Sequence, residues 1–245
     1  LVMDKGLLEK SAEYLTEEHL EELKLYLRLM FLSEFGKTLN REFTTASEAY
    51  NAALMGVEGT LSDEEQASNA VQLRLPDYLG RAYVEEYFSS EAKADVEEMI
   101  QEMLEVYAQR IENLTWMSEA TKAKAIEKLE AITVNVGYPD QWDDLYDDVE
   151  FRSVEEGGSY FENVLAMGKA AMAELAAEQD EPVERNKWLM SAYTVNAYYS
   201  PQNNSINFPA GILQAPLYDV DADRTENLGG IGYVIAHEIT HAFDN

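Results

Sequence analysis

Residues 231–241 read IGYVIAHEITH, and this stretch decides how the rest of the chain is interpreted. The apolar run before the first histidine predicts a largely buried helix that continues through the motif His-Glu-x-x-His. Because His237 and His241 are four positions apart, their side chains project from one face of that helix, about one turn apart. Both rings can then reach a single metal ion. The sequence therefore predicts a metal-binding helix packed against the body of the protein.

Glu238 follows the first histidine and points to the flank of the helix, where it can take a proton from a metal-bound water. Zinc suits this ligand spacing, and it lowers the pKa of a bound water toward about 7. We therefore predict peptide hydrolysis, with His237 and His241 as ligands of one Zn²⁺ ion and Glu238 as the general base. The alternative is that these are ordinary histidines bonded to the backbone. Two of the chain's three histidines lie at ligand spacing, which favours the metal site.

The first part of the chain has the pattern of a helical lobe. Apolar residues recur at helical spacing over residues 15–131, with capping residues between the segments. One predicted helix begins at Ser118, carries Ile132 on its inner face, and is stopped by Pro139. A further helix is predicted over residues 160–179, before the pattern changes.

The last part of the chain reads as strands, turns and the metal helix. Residues 193–199 are rich in aromatic and β-branched side chains, and residues 205–208 alternate polar with apolar. Residues 201–204, PQNN, supply turn chemistry between them, which predicts a β-hairpin. The predicted fold class is therefore mainly α, with a large helical lobe over residues 1–180. A partial α+β catalytic lobe, made of the short hairpin and the active-site helix, is predicted over residues 181–245.

Charge and composition limit the partners that this chain is expected to bind. It carries 47 Asp and Glu against 18 Lys and Arg, a formal net charge of -29, so its field repels polyanions. Nucleic acid is therefore not an expected partner. The chain has no cysteine, so disulfides and thiolate metal ligands are not expected. No stretch approaches the roughly 20 apolar residues of a membrane span.

Three segments, in this order, resemble the neprilysin family of zinc endopeptidases. They are VNAYY at residues 195–199, NFPAGILQAP at residues 207–216 and GGIGYVIAHEITHAFD at residues 229–244. The family's helical lobe is matched more loosely, as in LGRAYV at residues 79–84 and GYPD at residues 137–140. The resemblance implies a bacterial, oligopeptidase-type member with oligopeptide substrates. It also implies a thermolysin-like catalytic lobe of the gluzincin type after the helical lobe.

The resemblance also implies roles for residues outside the metal motif. In the family, an Asn-Ala pair on an edge strand holds the backbone of a bound peptide, and Asn196 and Ala197 match that pair. Such strand addition binds the main chain of a peptide without reading its side chains. The family's third zinc ligand is a Glu in a downstream Glu-x-x-x-Asp helix, expected beyond Asn245. Asp244 is interpreted as a helix-end residue, and the alternative is a carboxylate that orients a ligating histidine.

The same resemblance predicts that the chain is an incomplete segment, because the family extends both before the part that resembles Leu1 and beyond Asn245. The parent is expected to be a zinc metalloendopeptidase, and the chain alone is expected to be inactive. The alternatives are a non-catalytic peptide-binding or scaffolding module, and one half of a split enzyme completed by another chain. The lack of cysteine favours a bacterial origin. A cytoplasmic location is expected, with a periplasmic or extracellular one as the alternative.

Overall fold

A computed structural model describes most of the chain. It covers residues 4–57, 59, 61–181 and 187–244. Contacts divide the chain into two compact units, one of Leu1–Ser62 with Leu145–Asp180, the other of Asp63–Asp144 with Glu181–Asn245. The sequence-based division into two lobes at residue 180 stays a prediction, and residues 182–186, just after that boundary, lie outside the described residues.

Helices make up most of the described residues. In chain order they are α1 (Lys5–Tyr14), α2 (Leu20–Leu39), α3 (Arg41–Met55), α4 (Asp63–Arg74), α5 (Pro76–Tyr87), α6 (Ser90–Glu112), α7 (Glu119–Glu130), α8 (Tyr160–Ala177), α9 (Arg224–Gly229) and α10 (Ile231–His241). The strands are β1 (Thr133–Gly137), β2 (Tyr198–Ser200) and β3 (Ser205–Pro209). The predicted fold class, mainly α with a small β-containing part, is confirmed. Among the helices described, none is both long and apolar enough to cross a bilayer.

The first unit is helical, with α2 packed on α3 and α8. Its aromatic contacts include Phe35, whose ring centroid lies 4.6 Å from that of Phe31 and 5.8 Å from that of Phe161 on α8. Asn40 separates α2 from α3, since its backbone is extended and its side chain accepts the amide of Phe43 at 3.2 Å. Helix α8, with a 3-10 turn after it, matches the helix predicted over residues 160–179.

The second unit contains a three-stranded sheet in the order β1-β3-β2. Strands β2 and β3 are antiparallel and form the predicted hairpin. The first strand of this hairpin, β2, is shorter than the strand predicted over residues 193–199 and starts at Tyr198. Residues before it form a turn, in which Thr194 donates its amide to the carbonyl of Ser191 at 3.0 Å. Asn204, in the loop between the strands, has a φ of 49°, a left-handed conformation that asparagine tolerates well.

Strand β1 contradicts the sequence-based prediction for this region. The helix that begins after Ser118 ends at Glu130 and does not continue through Ile132; residues 133–137 pair in parallel with β3 instead. Gly137 ends the strand at a φ of +79°, and a Cβ there would stand 2.4 Å from the ring of Phe88. Glycine is therefore required by both conformation and space.

The core of the second unit lies between α6, the sheet and α10. Its fully buried side chains include Val96, Met99 and Ile100 of α6, Ile206 and Phe208 of β3, and Ile231, Ile235 and Ile239 of α10. The three isoleucines of α10 recur every fourth residue, so they form one buried stripe. This stripe fixes the rotation of α10 and turns the opposite face of the helix outward.

Candidate metal centre

The start of α10 is fixed by close backbone packing. The carbonyl of Leu217 accepts the amide of Ile231 at 2.7 Å, and a Cβ at Gly230 would stand 2.3 Å from that carbonyl oxygen. Buried Asn227 binds both backbone groups of Asp219, accepting its amide at 3.0 Å and donating to its carbonyl at 2.8 Å. The preceding loop and α9 therefore hold the helix at its first turn.

A contact from α6 holds the middle of α10. The hydroxyl of Tyr107 donates to the carbonyl of Ala236 at 2.8 Å and lies 2.9 Å from the hydroxyl oxygen of Thr240. Ala236 and Thr240 directly precede His237 and His241. The helix is thus tied to α6 beside each candidate ligand, a role that the sequence pattern did not indicate for Tyr107.

The geometry of the two histidines fits a shared metal ion. Their Nε2 atoms lie 3.0 Å apart, and the two rings are nearly perpendicular, at 85°. Two ligands at 2.0–2.1 Å from a tetrahedral zinc ion stand about 3.3 Å apart, so a small adjustment of His237 and His241 accommodates it. The donor set therefore fits the predicted cofactor.

Asp244 orients the second histidine. Its Oδ2 lies 2.9 Å from Nδ1 of His241. A carboxylate beside Nδ1 favours a proton on that nitrogen and leaves the lone pair of Nε2 free to bind a metal. The structure therefore favours the alternative interpretation of Asp244, an orienting carboxylate, over a plain helix-end residue.

Glu238 lies on the inner side of α10 and is only 6% exposed, although its neighbour His237 is exposed. Burial raises the pKa of its carboxyl group, while the two imidazoles and a hydrogen bond from the backbone amide of Tyr199 act in the opposite direction. The carboxylate is thus largely desolvated and held by a fixed donor. These are the properties of a side chain that can accept a proton at a defined place.

An open cleft of about 390 Å³ brings the predicted site residues together. Its lining consists of Asn196, Ala197, Tyr198, Tyr199, Pro201, His237, Glu238 and His241. All five residues predicted from the sequence are in this set. The two tyrosines and the proline were not predicted, although both tyrosines belong to the VNAYY segment that carried the resemblance.

Asn196 and Ala197 lie directly before β2 and not on the strand itself. Ala197 is buried, whereas Asn196 is exposed and its Oδ1 accepts the amide of Ala197 at 2.9 Å. Among the described residues, β2 is an outer strand of its sheet, since β3 separates it from β1. An extended peptide could therefore add to this edge beside the two histidines.

In the described part of the chain, one cluster of His, Cys, Asp and Glu side chains is compact enough to hold a metal ion. It consists of His237, Glu238 and His241, whose ligand atoms lie within 4.8 Å of one another. If Glu238 serves as the base, the two histidines supply two of the three protein ligands that catalytic zinc usually has.

Comparison with known proteins gives matches along the whole chain. Two models of peptidase family M13 match this chain. The model of the family's N-terminal part matches residues 1–139, and the second model matches residues 196–245. The neutral endopeptidase of Lactobacillus helveticus is 38% identical over 245 residues, which are 100% of this chain and 37% of that protein. Mouse neprilysin is 35% identical over 97% of this chain and 32% of its own length. The open state of Mycobacterium tuberculosis zinc metalloprotease ZMP1 aligns with a TM-score of 0.80 and 32% identity, over 96% of this chain and 36% of that one. The chain therefore spans about a third of the length of these relatives.

Proposed function

The chain belongs to peptidase family M13, as its resemblance to the neprilysin family predicted, and we propose that the whole protein is a zinc endopeptidase acting on oligopeptides. One observation carries the proposal. The Nε2 atoms of His237 and His241 converge to 3.0 Å beside the buried carboxylate of Glu238, in the floor of an open cleft. Relatives named neutral endopeptidase and zinc metalloprotease support the same activity.

His237 and His241 would hold the zinc ion through Nε2, with Asp244 fixing the second ring. A bound zinc ion supplies Lewis acidity, which makes water more acidic and the substrate carbonyl more electrophilic. The resemblance to the neprilysin family implies that the third protein ligand is a Glu. It would come from outside the described residues, because within them the cluster consists of the two histidines and Glu238 alone.

Glu238 would accept the proton of the attacking water. The water oxygen adds to the carbonyl carbon of the scissile peptide bond, and Glu238 then passes the proton to the departing amine nitrogen as the C–N bond breaks. The raised pKa that burial gives to this carboxyl group makes it a stronger base than an exposed glutamate. The amide of Tyr199 holds the carboxylate in place during both transfers.

Asn196 and Ala197 would bind the peptide backbone at the outer edge of β2. The substrate then lies extended across the cleft, with its scissile bond beside the two histidines. Because such contacts involve the main chain of the substrate, they suit oligopeptides of varied sequence.

The test is Glu238→Gln in the whole protein. The variant is expected to keep its zinc and to lose most of its turnover of an oligopeptide, because an amide cannot accept the proton, whereas both histidines remain. Glu226→Gln on the exposed surface of α9 is the matched control and should behave as wild type. Near-normal hydrolysis by Glu238→Gln with bound zinc confirmed would refute the assignment of the base. A wild-type protein that binds peptide without cleaving it would indicate a peptide-binding module.

A further inference from the structure

We propose that Lys128 of α7 is a positioning residue that fixes the end of α10, and with it the direction of the His241 ring. The inference rests on the zinc site proposed above. Lys128 contacts neither the metal-binding atoms of the histidines nor the carboxylate of Glu238. It acts through Ala242 and Phe243, the two residues that follow His241.

The first contact is a hydrogen bond at the C-terminus of α10. The ammonium group of Lys128 donates to the carbonyl oxygen of Ala242, the C-cap residue of the helix. The last carbonyls of a helix lack partners within the helix, and they carry the negative end of its dipole. A cation at this position therefore stabilises the last turn of α10, which bears His241.

Two aromatic rings flank the same ammonium group. Its nitrogen lies 5.8 Å from the ring centroid of Phe243, in the turn after α10, and 5.7 Å from that of Tyr199 on β2. Both distances are within the range of cation–π attraction. One side chain of α7 thus contacts both elements that line the cleft, the metal helix and the edge strand.

The turn after α10 carries this restraint to the metal ligand. Phe243 donates its amide to the carbonyl of Thr240 at 2.8 Å, and the adjacent Asp244 binds Nδ1 of His241 at 2.9 Å. Without the ammonium group of Lys128, the carbonyl of Ala242 and the ring of Phe243 lose a shared partner. The turn then holds Asp244 less firmly, and the ring of His241 is less well oriented for zinc.

The backbone of Lys128 has a separate task, which a side-chain substitution leaves intact. Its carbonyl accepts the side-chain amide of Asn204 at 3.0 Å, and Oδ1 of Asn204 accepts the hydroxyl of Tyr199 at 2.9 Å. These bonds hold the hairpin beside α7. Replacing the ammonium group should therefore affect zinc binding more than the position of the peptide-binding edge.

The test is Lys128→Met in the whole protein. Loss of a partner that orients a metal ligand typically weakens metal binding 10–100-fold, so the zinc Kd, measured by chelator competition, is expected to rise about tenfold. At saturating zinc, KM should stay within about twofold of wild type, because the hairpin contacts remain. Lys128→Arg, which keeps the cation, should restore zinc affinity to within about threefold.

Lys122→Met is the matched control on the same helix. Lys122 also donates to a carbonyl near a helix C-terminus, that of Glu112 at 2.9 Å in the last turn of α6, but its other partner is Glu119 of its own helix, at 2.9 Å. This variant is expected to lower the melting temperature without changing the zinc Kd. A melting temperature for each protein separates general destabilisation from a specific effect on zinc.

Three results would overturn the inference. They are a zinc Kd of Lys128→Met within about twofold of wild type, an equal rise in Lys122→Met, or a failure of Lys128→Arg to restore affinity. Because Lys128 is exposed, its variants are expected to fold. If Lys128→Met does not fold, Lys128→Gln also removes the ammonium group and tests the same prediction. A wild-type protein that binds no zinc overturns the proposed function as well. Normal zinc binding in wild type with an unaffected variant overturns the role of Lys128 alone.

Discussion

Shortening the proposed base by one methylene group tests whether its position matters. In Glu238→Asp the carboxylate retracts by about 1.5 Å, one C–C bond, so it moves away from the amide of Tyr199 and from the cleft. Misplacement of a catalytic group by about 1 Å can cost a factor of about 100, equivalent to about 2.7 kcal/mol in the activation free energy. We therefore expect kcat to fall about 100-fold, whereas the zinc content stays at the wild-type level.

The assay is steady-state hydrolysis of a fluorogenic oligopeptide by the whole protein, with zinc measured on the same samples. Glu226→Asp on α9 makes the same shortening at an exposed position and should leave kcat unchanged. A Glu238→Asp variant with full zinc and a kcat within about fivefold of wild type would refute the reasoning, because a base held by one backbone amide cannot tolerate such a shift. Loss of zinc would instead show that Glu238 supports the metal.

Two further predictions concern stability. Asn227→Ala removes two buried hydrogen bonds to the backbone of Asp219. The free energy of unfolding, measured in urea, should therefore fall by about 1–3 kcal/mol. A decrease below about 0.5 kcal/mol would contradict this prediction. Burial and the charge of Asp143 raise the pKa of Asp77, so the folded state binds that proton more tightly. The stability that protonated Asp77 contributes to the folded state is fully present below the unfolded pKa of about 3.9, and it is lost as pH rises through the raised folded pKa. Asp77→Asn should therefore melt higher than wild type at pH 7, with the difference shrinking toward pH 4, and a lower melting temperature at pH 7 would count against it.

Strand β1 shows where the sequence pattern stops being informative. Its residues continue the apolar spacing of α7, so the local pattern is compatible with a longer helix. These residues form a strand because they pair in parallel with β3. The paired residues are 72 positions apart in the sequence, as Asn135 and Asn207 are. Parallel pairing of this kind depends on contacts remote in sequence, and a local period cannot report it. The β2–β3 hairpin was predictable because its turn and both strands lie within a short stretch.

The candidate metal site also has one feature that the sequence predicts and one that depends on the fold. The spacing of His237 and His241 lies within one helix, so the sequence alone predicts that they share a face. That Glu238, the proposed base, is desolvated beside the exposed His237, a proposed ligand, depends on the rotation of α10. The buried stripe of isoleucines sets this rotation and brings the carboxylate under the amide of Tyr199. Neighbouring residues on one helix thus acquire different chemistry, because both line the cleft but His237 is exposed there and Glu238 is buried.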